Sequence, residues 1–414
     1  MSAIKLSICI PTYNRRDYLR TALEQFAGYA FSFPYEIVIS DNASTDDTTQ
    51  LVEEFIGKGL PIHYHRRAEN GGAGPNIFNA YLQAVGQYVM LHADDDFLVA
   101  SGIEEAIAYL DANDDVVACH APWYLYDEVQ DRDVSLFYQV EQDTKFPRQN
   151  FVELFQFMYD NHVFPEIGIY RATALRTAWL PRELCFWAFS CLAHYLDQGA
   201  VAFLQKPFYR SVTVSKVAPT RQQAGIDDVM TGWDMYRGGL EYFLHIAAVR
   251  GKLNTSEEAC AVYDQMCKIF TMTRMSVAVR FWVARHDYLK AYEIYTRMAM
   301  GGFGEHPEVI ELRKLFPVMV ALQTLAYLLN SASGVSHLVL SDIDDPDYIA
   351  TLLREVGLGE EIAIVSKPSA LDASLIGTSA LFSTTAAGRD SFITQGYRSN
   401  FIFIESELAQ YTLI

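Results

Sequence analysis

Asp94, Asp95 and Asp96 form an unbroken carboxylate triplet just after the apolar run Gln87 to His92 (QYVMLH). Three adjacent carboxylates repel one another unless a cation or solvent intervenes. In extended chain Asp94 and Asp96 project to one side and Asp95 to the other. The outer two can then share one hard cation through oxygen. Mg²⁺ or Mn²⁺ is the expected ion, since both use one or two carboxylates together with substrate phosphates. Such a metal neutralises the charge that builds on a diphosphate leaving group. A solvated acidic turn, or Asp95 capping the next helix, would use the same residues. The elements upstream decide between these readings.

Lys5 to Ile10 (KLSICI) reads as a strand stopped by Pro11, and Tyr35 to Ser40 (YEIVIS) as a second. Ile62 to His65 and Gln87 to His92 read as a third and fourth. Between them the apolar spacing predicts helices over Asp17 to Phe26, Thr48 to Ile56 and Pro75 to Val85. Strands alternating with helices of this length argue for a parallel sheet covered on both faces. Right-handed crossovers then bring the loops after the strands to one edge, where such sheets bind ligands. The polar clusters fall there: Pro11-Thr12-Tyr13-Asn14 after the first strand, Asp41 to Asp46 after the second, the aspartate triplet after the fourth. Asp41 is placed to accept from a base N–H, or to shape its loop with Asn42 and Ser44. Asn70-Gly71-Gly72-Ala73-Gly74 opens a helix but matches neither a Walker loop nor a dinucleotide fingerprint.

Taken together, residues 5 to 98 resemble the family 2 glycosyltransferases of GT-A fold. SICIPTYNRRDYL, EIVISDNASTDDT and the NGG segment ending in YVMLHADDDFL carry the likeness through their order and spacing. The resemblance implies transfer of a sugar from a nucleoside diphosphate donor to an acceptor, usually with inversion, and uridine as the commonest base. It implies a donor nucleotide site lined by Pro11, Thr12, Tyr13, Arg15, Asp41, Asn70, Asp94 and Asp95, with Asp94 and Asp96 on the metal. Phe164 to Arg171 (FPEIGIYR) looks like the family's strand beneath the acceptor, and Gln198 to Arg210 resembles its closing segment.

One departure concerns the base. The family places a Glu-Asp pair about a dozen residues before the glycine at 199, where this chain has Trp187 and Ala188. Inversion requires a positioned base for the acceptor hydroxyl. Glu183 is the nearest carboxylate upstream, one helical turn away, and is the expected base; Glu166 and His194 are weaker candidates. Further on, Arg210, Lys216 and Arg221 are cations that could fold over a diphosphate or sit in a solvated loop.

The rest of the chain sets boundaries. With 414 residues, two or three domains are expected. The divisions are a GT-A domain over 1–221, a helical domain over 222–333 and a small Rossmann-like α/β domain over 334–414. The formal charge of −19 disfavours nucleic acid and anionic lipid. Six cysteines without a CxxC pair suggest reduced, mostly buried thiols in a cytoplasmic protein, with the inner face of the membrane as the alternative expectation. The apolar run Leu315 to Leu329 is too short to span a bilayer. Docking on a membrane, where a lipid-linked acceptor would sit, is the lesser expectation beside packing or homo-oligomer formation. A glycan, lipid-linked or protein-linked group is the expected acceptor. A sugar nucleotidyltransferase would need a glycine-rich basic loop where PTYNRR stands. A non-catalytic nucleotide-sugar-binding or assembly subunit is the alternative that the missing Glu-Asp pair suggests.

Overall fold

The computed structural model describes residues 3–178, 184–218, 232–410 and 412. The chain divides into two compact units, Met1–Phe270 and Thr271–Ile414.

In the first unit, β1 (Leu6–Thr12), β2 (Tyr35–Asp41), β3 (Ile62–Arg66) and β4 (Tyr88–Leu91) alternate with helices α1 (Arg16–Phe26), α2 (Thr48–Gly57) and α3 (Ala73–Gln83). After β5 (Phe97–Leu98) and α4 (Ala100–Ala112) come β6 (Val116–His120), β7 (Tyr124–Asp127), β8 (Arg132–Leu136) and β9 (Thr144–Phe146). Then follow α5 (Phe151–Asp160), β10 (Gly168–Arg171), α6 (Ala172–Ala178), α7 (Trp187–Gln198), β11 (Ala200–Phe203) and β12 (Tyr209–Val214). Eight strands form one sheet in the order β3-β2-β1-β4-β10-β6-β11-β9, parallel from β3 to β4 and antiparallel at β10 and β9. A second sheet joins β5-β12-β7-β8. This is the GT-A type of α/β fold. Leu6, Ile8, Ile10, Ile37, Val38 and Ile39 are all buried, as expected of parallel strands covered on both faces.

Pro11 does not end β1. The strand pairs with β2 as far as Thr12↔Asp41, whereas its pairing with β4 stops at Cys9↔Leu91. The Cys9 carbonyl accepts from His92 on the β4 side, and the Thr12 carbonyl accepts from Asn42 on the β2 side. Backbone groups alternate, so Pro11 turns its missing N–H toward the β4 side, past the end of that ladder.

The helix Trp233–Val249 packs with the first unit, although the change of sequence texture near residue 222 precedes it. Its Tyr236 and Phe243 meet Phe164, Phe186, Phe151 and Phe155 edge-on or stacked. Compactness therefore divides the chain after Phe270 rather than where the composition shifts.

The second unit contains helices Tyr288–Met300 and Phe316–Ser331 and a parallel sheet ordered β14-β13-β15-β16, with β13 (His337–Ser341), β14 (Ala363–Val365), β15 (Ser379–Ser383) and β16 (Ile402–Ile404). The apolar run lies in a longer helical stretch than its composition suggested. Leu312–Ser331 has 20 residues, enough by length and composition alone to cross a membrane, and 44% of its apolar window is buried within the protein. The thiols of Cys9, Cys119, Cys191 and Cys267 are buried, whereas Cys260 is exposed.

Candidate functional site

The loops after β1, β2 and β4 meet at the carboxyl edge of the large sheet, joined by side chains. Thr12 Oγ1 donates to Asp94 Oδ2 at 2.7 Å, and Arg15 Nε donates to Asp94 Oδ1 at 2.7 Å. The same guanidinium reaches Asp95 through Nη2. Asn14, at positive φ, receives the Ser44 hydroxyl oxygen on its N–H and accepts from Thr45 N with its side chain. The first and second loops are thereby tied together.

Asp41 is fully buried at the end of β2. Its Oδ1 accepts from Ser44 N at 2.8 Å, its Oδ2 from the Tyr64 hydroxyl at 2.5 Å, and Arg66 Nε lies 3.7 Å away. The loop-shaping role of Asp41 is thus present. Each of its oxygens keeps a second lone pair. Asn42 bridges further: its Nδ2 donates to Asn70 Oδ1 and Gly72 O, while its Oδ1 accepts from Arg67 and Gly71. Asn70 is therefore brought to the edge, though exposed. Tyr13 is 41% exposed at the mouth, beside half-buried Pro11.

The aspartate triplet is not extended. Asp94 and Asp95 form a turn, so the alternation argued from the sequence does not hold. Asp94 and Asp95 share Arg15, while Asp96 is held by β12. The Tyr209 hydroxyl donates to Asp96 Oδ2 at 2.9 Å and Val212 N to Oδ1 at 2.8 Å, and Ala93 N donates to the same Tyr209 hydroxyl. Burial first, and then the neighbouring Asp95 charge against the pull of Arg15, moves the Asp94 carboxyl up to about 6. Burial also pushes Asp96 upward, followed by Asp95. One guanidinium thus balances a dry cluster of carboxylates.

The donor set suits a hard cation in kind: carboxylate oxygens at a mouth where substrate phosphates would complete the shell. Asp94 and Asp96 both retain free lone pairs. Among the described residues no group of three or more His, Cys, Asp or Glu side chains converges as a ready-made cation cage, so phosphate oxygens would have to supply part of the shell.

Other expected residues fall elsewhere. Glu183 and Arg221 lie outside the described residues. His194 Nε2 pairs with the Tyr242 hydroxyl at 2.8 Å, a bond between α7 and the helix Trp233–Val249. Arg210 is bound at 2.6 and 2.9 Å to both Asp133 oxygens, a bidentate pair that commits it to β8 rather than to a diphosphate. The Lys216 backbone N–H is held by Glu128. Trp187 and Ala188 begin α7, with Ala188 buried and no acid in its first turn. A cavity of about 270 Å³ opens next to Arg15, lined by Asn14, Arg16, Tyr18, Asp46, Asp47 and Val217 among others. Sequence reasoning missed Tyr64, Arg67, Tyr209 and Val212. Tyr209 lies in the closing segment that already resembled the family, which was the available signal.

Residues 7–172 match the profile of glycosyl transferase family 2. The likeness to that family is confined to this stretch. The abequosyltransferase RfbV of Salmonella typhimurium is 35% identical over 116 residues, which are 28% of this chain and 35% of that protein. The poly(ribitol-phosphate) β-N-acetylglucosaminyltransferase TarS of Staphylococcus aureus is 31% identical over 109 residues, 26% of this chain and 19% of its own. The chain thus spans about a third or less of the length of these relatives. Among solved structures, S. aureus TarS 1–349 in complex with UDP aligns with a TM-score of 0.45 and 19% identity, over 85% of this chain and 89% of that one. The mannosyltransferase PcManGT from Pyrobaculum calidifontis, in complex with GDP-Man and Mn²⁺, aligns with a TM-score of 0.43 and 14% identity over 77% and 85%.

Proposed function

We propose that this protein is an inverting, metal-dependent glycosyltransferase that moves a sugar from a nucleoside diphosphate donor, UDP foremost, to a glycan or glycoconjugate acceptor. The observation that carries the reading is the joined edge of a family 2 domain, where buried Asp41 and the Thr12–Asp94–Arg15 group face one mouth. Asp41 and the Asn42–Asn70 bridge orient the base and ribose, with Pro11, Thr12 and Tyr13 along the nucleoside. Arg15 sets the countercharge at the triplet. A Mn²⁺ or Mg²⁺ ion held by Asp94 and Asp96 would supply charge neutralisation at the diphosphate when bound. Asp96, anchored by Tyr209 and Val212, fixes the triplet to β12. The acidic surface keeps polyanions away. We place the protein in the cytoplasm, at the inner face of the membrane where the acceptor is lipid-linked.

A second reading, a donor-binding subunit without turnover, draws on the start of α7, where the family's Glu-Asp pair is replaced by Trp187 and Ala188. Release of UDP from a panel of UDP-sugars, incubated with the full chain and Mn²⁺, separates the two. Turnover supports the transferase. Donor binding without turnover supports the subunit.

A further inference from the structure

The large sheet brings one more carboxylate to the edge that carries the aspartate triplet. β10 runs antiparallel between β4 and β6, with Ile169 opposite Met90 and Gly168 opposite His120. Its amino end therefore lies at the edge where β4 and β6 have their carboxyl ends. Continuing the β4 register outward from Ile169↔Met90 brings residue 166 level with residue 93, one position before Asp94. Neighbouring strands lie about 5 Å apart. Glu166, half-buried, thus stands across from the donor side of the edge, on the half of the sheet that leads to β6.

A second observation points to a ligand at the same place. The hydroxyls of Tyr138 and Tyr170 are buried and have no hydrogen-bond partner, and neither has Nε2 of His120. Buried polar groups are otherwise satisfied in folded proteins. Burial, with nearby cysteines and the Glu166 charge, holds both phenols protonated. They are therefore donors in want of an acceptor. Gly168 lets these groups pack close: a Cβ there would come within 2.7 Å of the Tyr170 hydroxyl and 2.9 Å of His120 Nδ1. An acceptor hydroxyl or an enclosed water is the kind of group that would satisfy them.

We propose that Glu166 is the general base of the transfer, taking the place of the missing Glu-Asp pair, with Tyr138 and Tyr170 as positioning residues for the acceptor. This rests on the transferase reading above. The acceptor O–H gives its proton to the Glu166 carboxylate as the acceptor oxygen bonds to the anomeric carbon. The bond from that carbon to the diphosphate oxygen breaks, and the nucleoside diphosphate leaves with the electron pair.

The test compares wild type, Glu166→Gln, Glu166→Asp and Glu183→Gln. UDP release from UDP-N-acetylglucosamine is measured with Mn²⁺ and water as acceptor, and UDP affinity by calorimetry. The expected result is a fall of about 100-fold or more in kcat for Glu166→Gln, partial activity in Glu166→Asp, near wild-type turnover in Glu183→Gln, and UDP affinity unchanged throughout. Undiminished turnover in Glu166→Gln, or a loss confined to Glu183→Gln, overturns the assignment. So does a loss in Glu166→Gln that comes with weakened UDP binding, since that marks a structural role. Wild-type protein that binds no UDP contradicts the transferase reading itself and takes the assignment down with it.

Discussion

Parallel strands of the large sheet and of the sheet in the second unit both end in aspartate-bearing loops, but the two edges are built differently. In the first unit Asp41, Asp94 and Asp96 are buried, and each accepts from two or more donors, at least one of them on another strand. In the second, Asp342, Asp344 and Asp345 are exposed. There the Asp342 carboxylate accepts from Ser341 and, across on β15, from Ser383, and its carbonyl accepts from Thr384, beside a cavity of about 310 Å³ at the β13–β15 junction. The topology that makes a ligand edge is the same in both. What differs is the desolvation accepted to fix the carboxylates, and a fixed, dry carboxylate is what orients a ligand. An acidic loop after a parallel strand is therefore weak evidence of a site until its partners are known.

The contrast can be broken by substitution. Asp94→Ala is expected to lower UDP affinity with Mn²⁺ by about 100-fold or more, whereas Asp342→Ala leaves it unchanged. Calorimetry on both variants checks this, and an equal effect would erase the distinction. Gly102→Ala strikes at the scaffold: a Cβ there would sit 2.2 Å from the Pro207 carbonyl oxygen, backbone against backbone, just ahead of β12. A loss of about 1–3 kcal/mol or more in urea unfolding is expected, with weaker donor binding because β12 carries Tyr209. Tyr209→Phe removes one donor from buried Asp96 and the acceptor for Ala93 N. It should cost about 1.5–3 kcal/mol, against less than about 0.5 kcal/mol for the surface change Asp342→Asn.

A further test concerns pH. His120 is buried, its Nδ1–H donating to the Ile167 carbonyl, and burial lowers its pKa to about 4. The unfolded chain takes up this proton near 6.5 and the folded chain only near 4. The stability contribution is complete above about pH 6.5 and falls away as pH drops toward about 4. The melting temperature should decline over that window, and His120→Phe, which can keep the stacking on Phe203, should flatten the decline.

Much of this was legible from short-range pattern. β1 to β4 and their helices showed in the sequence because fully buried parallel strands are continuous apolar runs and their helices keep helical spacing. The loops at their ends followed from chain topology. The partners of Asp96 were not legible: Tyr209 and Val212 lie 113 and 116 residues away, and no local signal joins them. The turn at Asp94–Asp95 defeated the alternation argument for the same reason, since contacts with Arg15 and β12 set the side-chain directions. The stretch from β6 to β9 stayed unread because its strands are short, and β8 (RDVSL) is largely exposed. The place of Glu166 needed the antiparallel insertion of β10, which sequence spacing does not reveal.

The most direct test of the account is calorimetric titration of UDP into the full chain with Mn²⁺, then with EDTA, for wild type and Asp96→Ala. The account predicts binding with Mn²⁺ that is abolished by EDTA and lost in Asp96→Ala while the variant stays folded by circular dichroism. Binding that persists in EDTA and in Asp96→Ala would contradict the metal-assisted donor site, and no UDP binding by folded wild-type protein would contradict the UDP-donor assignment.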